Sequence, residues 1–194
     1  MTDSLRAPVL FISHGAPTFA LEPGQLGPRL GRVGADLQDI QAVLVISPHW
    51  QTQGLEIMTT GQPATIHDFS GFPKALYQLS YPARGAPQIA QEVARQLRQS
   101  GWQVSEEVQR GLDHGAWVPL MYLLPQANVP VFQLSLPLAL NARQALELGR
   151  SLAVLRSRGV AIVGSGSMTH NLYEFRGAVN QPEPYVTEFT QWVR

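Results

Sequence analysis

The sequence predicts an α/β fold: a central, mainly parallel or mixed β-sheet with helices on both faces. Two observations carry this reading. Short apolar runs rich in β-branched residues alternate along the chain with longer stretches of helical character, the order expected of strands joined by crossovers. The runs Ala42 to Ile46 and Val160 to Val163 are nearly continuous in apolar residues, which suits strands covered on both faces.

The elements follow in order. Val9-Leu10-Phe11-Ile12 reads as a strand that ends in the loop Ser13-His14-Gly15-Ala16-Pro17. Leu26 to Leu37 is a helix candidate weakened by Gly27, Gly31 and Gly34. The strand Ala42 to Ile46 ends in Ser47-Pro48-His49-Trp50, and Leu55 to Met58 makes the next strand. Thr65 to Pro73 is loop-like, broken by Gly71 and Pro73. Pro87 to Gln99 places Ile89, Val93 and Leu97 at helical spacing, with Pro87 suited to the first turn. Asp113-His114-Gly115 precedes a short helix from Ala116 to Leu124, and Val129 to Leu136 is a strand. Leu138 to Arg158 is the longest helix candidate, with Leu140, Leu146, Leu148, Leu152 and Leu155 to cover a sheet and Gly159 to end it. After the strand Val160 to Val163 comes Gly164-Ser165-Gly166-Ser167-Met168-Thr169-His170-Asn171. Asn180 to Pro184 forms a loop before a last helix.

Composition narrows the function. The 194 residues make one domain, with no internal repeat, heptad pattern or low-complexity segment. Fourteen basic residues balance fourteen acidic ones, which argues against a nucleic-acid binder with a basic face. The charged fraction is 14%, too low for a charge-driven disordered chain. With no cysteine there are no disulfides, thiolate metal sites or cysteine nucleophiles. No apolar run approaches the ~18 residues of a membrane span, and no signal segment opens the chain, so a cytoplasmic location is expected.

The five histidines point to chemistry. His14, His49 and His170 each follow a predicted strand, and ligands collect beyond the carboxyl ends of strands in open α/β sheets. Three imidazoles from three such ends suit one Fe(II) or Zn(II) ion. A lone histidine at a strand end is more often an ordinary hydrogen-bonded residue, so the weight rests on the joint arrangement. His114 reads either as a general base or as part of a helix start capped by Asp113. His67, Asp68 and Phe72 lie in an aromatic, glycine-containing loop that could line a flat substrate or simply pack. Gly164-Ser165-Gly166-Ser167 lacks both the dinucleotide fingerprint and a Walker lysine, and it does not make a hydrolase nucleophile elbow.

Several segments together resemble a known family. They are Ser13-His14-Gly15-Ala16-Pro17, Ser47-Pro48-His49-Trp50, Ile66-His67-Asp68-Phe69-Ser70-Gly71-Phe72-Pro73, Tyr77, Tyr81-Pro82, Gly111-Leu112-Asp113-His114-Gly115-Ala116-Trp117 and Gly164 to Leu172. In this order they resemble the DODA-type extradiol aromatic ring-opening dioxygenases of the class III, LigB-like superfamily. The resemblance implies a LigB-like fold and a catechol-type, DOPA-like aromatic substrate opened with non-haem Fe(II) and O₂; Zn(II) is also found in such sites. It implies His14 and His49 as metal ligands, His170 as a ligand or acid–base residue, and His114 as an active-site histidine. His67, Asp68, Phe72 and Trp117 are then expected to line the substrate pocket. Residues 1–194 are expected to form a single catalytic domain, C-terminally truncated relative to the family, whose members carry a further His-Pro-Thr-x-Glu-His-type motif. The expected partners are a small aromatic substrate and O₂, with no nucleic acid or membrane and a homodimer as the default assembly. A zinc hydrolase and a non-catalytic interaction protein on the same fold are the alternative readings.

Overall fold

The computed structural model describes residues 6–37, 39–171 and 182–194. The expected Asn180 loop start and Leu172 of the resemblance lie outside these residues. Among the described residues six strands form one sheet: β1 (Val9–Ser13), β2 (Ala42–Thr52), β3 (Leu55–Met58), β4 (Val104–Glu107), β5 (Val131–Pro137) and β6 (Val160–Gly166). Their order across the sheet is β1-β6-β2-β5-β3-β4. Of the neighbouring pairs among these strands, four are parallel and β3 against β5 is antiparallel. The sheet is therefore mixed and mainly parallel. Its helices are α1 (Leu26–Ala35), α2 (Pro87–Gln99), α3 (His114–Leu123), α4 (Ala142–Leu152) and α5 (Pro184–Val193).

The central strands explain their own composition. Val43, Leu44, Val45, Val131, Phe132, Ala161 and Val163 are fully buried, because β2, β5 and β6 are covered on both faces. β4 was not evident in the sequence: Val-Ser-Glu-Glu is short and polar, and only Val104 turns inward, as befits a strand at the sheet edge.

α3 is apolar nearly all round and lies under α1, which matches a helix buried on every side. The glycines that weaken α1 as a sequence are its contact with α3. A Cβ at Gly34 would lie 1.6 Å from the Leu123 carbonyl oxygen, so only glycine lets the two backbones approach this closely. The propensity cost, about 1 kcal/mol per glycine, is offset by this packing.

The long helix expected from Leu138 to Arg158 is shorter. Asn141 accepts the Gln144 N–H, and the Gln144 side chain accepts the Asn141 N–H, a capping box that starts α4 at Ala142. The last stretch, Ala153–Arg158, tightens into a 3₁₀-helix that ends at Gly159 with φ of 74°. Leu148, Leu152 and Leu155 cover the sheet as expected, whereas Leu146 faces outward. Among the described residues no helix is long and apolar enough to cross a membrane.

Candidate metal centre

The site forms at the carboxyl ends of the three strands at one side of the sheet. β6 lies between β1 and β2, so the ends of those two strands flank it. His14 follows β1 directly, and its backbone N–H donates to the Gly166 carbonyl of β6. His49 sits within β2, where the pairing with β5 loses register between Ile46 and Gln51. Pro48 has no N–H to give the ladder, so a break there costs no hydrogen bond. His114 is the first residue of α3 and enters from the helical layer.

These three imidazoles converge. One ring nitrogen from each lies within 4.8 Å of the other two. His14 Nε2 and His49 Nε2 are 3.0 Å apart, and the His49 and His114 ring centroids are 3.9 Å apart. Gly115 makes the approach possible. A Cβ there would stand 2.3 Å from Ser47 Oγ and 2.9 Å from His49 Cδ2.

An outer layer holds the rings by their other nitrogens. His14 Nδ1 meets Ser165 Oγ at 2.8 Å. His114 Nδ1 stands 3.0 Å from Asp68 Oδ2, a close polar contact whose N–H direction falls short of a well-formed hydrogen bond. The same oxygen is 3.9 Å from His49 Nδ1. Asp68 Oδ1 accepts the His114 backbone N–H at 2.9 Å, so the cap of α3 comes from a distant loop. Asp113 is not that cap. Its fully buried carboxylate takes Ser47 Oγ at 2.7 Å, Gln133 Nε2 at 2.8 Å and the Arg110 guanidinium at 3.1 Å. Ser47 Oγ in turn accepts the His49 backbone N–H, so Asp113 braces the His49 strand end as well as the start of α3. Arg110 lies over the Trp50 ring.

The electrostatics favour neutral rings. Burial, then the neighbouring His114 and His49, hold the His14 imidazole down to about 4. Burial and His114 likewise lower His49. Burial alone would raise the Asp68 carboxyl, but the ring and backbone N–H of His114 outweigh it and bring the group below its ordinary value. Neutral imidazoles with carboxylate and hydroxyl partners behind them are the usual form of metal-binding histidines. The His14 and His49 Nε2 atoms, 3.0 Å apart, are close enough that both would reach one ion. The three residues fit a divalent ion of the Fe(II) or Zn(II) kind.

The remaining predicted residues lie around this centre. His170 is exposed, beyond the end of β6, and outside the group of three. It remains near enough to act, weakly, on the electrostatics of both His14 and His49. His67 donates Nε2–H to the Leu79 carbonyl and packs edge-on to Trp117. Trp117 is fully buried and donates its indole N–H to the Ile66 carbonyl, so it supports the loop from behind. Phe69 connects the loop to the metal centre, with its ring centroid 5.6 Å from His114 and 5.5 Å from Phe72. Sequence reasoning did not single out Ser47, Ser165, Arg110 or Gln133. The glycine–serine run held the signal for Ser165 but read as a failed phosphate loop.

A family model for the catalytic LigB subunit of aromatic ring-opening dioxygenase matches residues 31–193. The chain belongs to the LigB family. Two relatives extend the match toward the N-terminus. A 4,5-DOPA dioxygenase extradiol of Escherichia coli K12 is 38% identical over 193 residues, covering 99% of this chain and 71% of the relative. Another protein of that name, from Beta vulgaris, is 38% identical over 187 residues, 94% of this chain and 70% of its own. Among solved structures, an uncharacterized protein of Escherichia coli K12 superposes with a TM-score of 0.80 at 33% identity, over 97% of this chain and 71% of that one. This LigB-family chain is thus an enzyme of the extradiol ring-opening class with the expected α/β architecture, and its three clustered histidines suit the metal such chemistry needs.

Proposed function

We propose that this LigB-family protein opens a catechol ring beside its two hydroxyls, on a substrate resembling DOPA, with Fe(II) and O₂. The observation that carries this reading is the convergence of His14, His49 and His114. In this reading the three imidazoles hold Fe(II). Bound there, Fe(II) supplies the redox chemistry by which dioxygen reacts with an aromatic diol.

The protein's own groups do the rest. His14 and His49 present Nε2 to the centre, and Asp68 braces His114 and His49 from behind. Phe69, Phe72 and Tyr77 make an aromatic wall beside His114, suited to a flat ring. His67 and Trp117 keep that wall in place. His170, exposed at the rim, takes the proton from a substrate hydroxyl and returns it to the product.

The test is anaerobic loading with Fe(II), followed by oxygen uptake and absorbance measurements with a panel of catechols that includes DOPA. Stoichiometric oxygen consumption and a yellow product are expected. His170→Gln should keep the iron and lose most of the turnover. Bound iron without oxygen consumption on any catechol, together with Zn(II)-dependent hydrolysis, would point to the hydrolase reading instead.

A further inference from the structure

Ser165 occupies the centre of the glycine–serine run and is almost fully buried. Its neighbours Gly164 and Gly166 face the other side of the sheet, where the Phe11 ring lies over them. Ser165 therefore points into the metal centre from the strand between those that lead to His14 and His49. Its hydroxyl has two partners there: the Gly115 carbonyl of α3 and His14 Nδ1, the latter at 2.8 Å.

A hydroxyl has one proton to give, and a carbonyl oxygen can only accept. The Ser165 proton thus goes to Gly115. The remaining contact then has one consistent polarity, in which His14 Nδ1–H donates to the Ser165 oxygen. The Gly115 carbonyl is available because of a second feature of α3. In a regular helix it would accept the N–H of the residue four positions on, which is Pro119. Proline has no N–H, so this carbonyl has lost its helical donor. Pro119, Gly115, Ser165 and His14 form one directional chain.

We infer that Ser165 is a positioning residue that fixes the Nδ1–H tautomer of His14 and so aims the unprotonated Nε2 at the metal. In the metal-free protein, the proton between His14 Nε2 and His49 Nε2 then belongs to His49. The inference builds on the reading of His14 as a metal ligand, but its first test does not require a metal.

The experiment uses ¹⁵N-labelled histidine in the metal-free chain, with the tautomer of His14 read from long-range ¹H–¹⁵N correlations. His14 should show a protonated Nδ1 and a bare Nε2. A proton on Nε2 would overturn the assignment, and this measurement on the unaltered chain does not depend on any variant folding. Co(II) and Zn(II) titrations then compare Ser165→Ala with Ser165→Thr. The alanine variant should lose the single His14 tautomer and bind Co(II) about 10- to 100-fold more weakly, the span typical of removing an outer-layer partner. Threonine keeps the hydroxyl and should restore both readouts. An alanine variant that folds, keeps the Nδ1–H tautomer and binds Co(II) as the parent does would also overturn it. If the unaltered chain shows the tautomer but binds neither ion, the metal reading fails and the role of Ser165 in setting the tautomer stands.

Discussion

Two regions of this molecule use their side chains in opposite ways. At the carboxyl ends of β1, β6 and β2, polar groups are buried around an exposed His49: His14 is 4% exposed, Ser165 6% and Asp113 not at all. Each is held by named partners on other elements. At the outer face of β1 and along α5, apolar groups are exposed instead: Phe11 is 61% exposed and Trp192 80%, and α5 buries none of its residues. Burying a polar group costs several kcal/mol unless it is hydrogen-bonded, so every bond in the first region matters individually. Exposed side chains in the second region contribute little to the fold, and replacing one changes little. The chemistry sits where loss of a single atom is expensive.

Substitution can break this contrast at its strongest point. His14→Ala or His49→Ala should weaken Zn(II) or Fe(II) binding by more than about 100-fold, beyond the span seen for outer-layer partners, as measured by competition with a chelator. Retention of one ion per chain in both variants would remove the centre from these residues.

Acid should weaken the same region without any substitution. The folded chain keeps His14 neutral down to about 4, whereas the unfolded chain takes up its proton near 6.5. Between those values the unfolded state binds more protons, so this contribution to stability is complete above pH 6.5 and is lost as the pH falls toward 4. At about 1.4 kcal/mol per pH unit the loss is on the order of 3 kcal/mol. Urea denaturation of the metal-free chain across that range would show it, and a flat profile would contradict it.

Smaller effects test the packing and the outer layer. Gly115→Ala places a methyl against Ser47 and His49. It should cost about 1–3 kcal/mol in urea denaturation and weaken metal binding in parallel. Asp68→Asn keeps the shape but removes the charge facing His114 and His49, and metal affinity should fall about 10-fold. Trp192→Ser, in the other region, should change stability by less than about 0.5 kcal/mol and leave metal binding as it was. A large effect there would mean that α5 shares in the core, and the contrast between the regions would fail.

By itself the sequence determined the layering. The apolar runs at Ala42 to Ile46 and Val160 to Val163 are the buried centre of the sheet, and His14 and His49 lie beyond strand cores that periodicity alone could locate. Burial within one element leaves its mark on that element's own residues, so it is legible locally. The tertiary structure decided which groups meet. It brought His114 to His14 and His49 and left His170 at the rim. It turned the glycines of α1 from a weakness into a contact with α3, and Asp113 from one of two candidate roles, a helix cap, into a buried brace. It also gave Ser165 its two partners, 50 and 151 residues away in sequence. Such contacts depend on how whole elements pack, and no pattern within a single segment records a hydrogen bond to a residue so far along the chain.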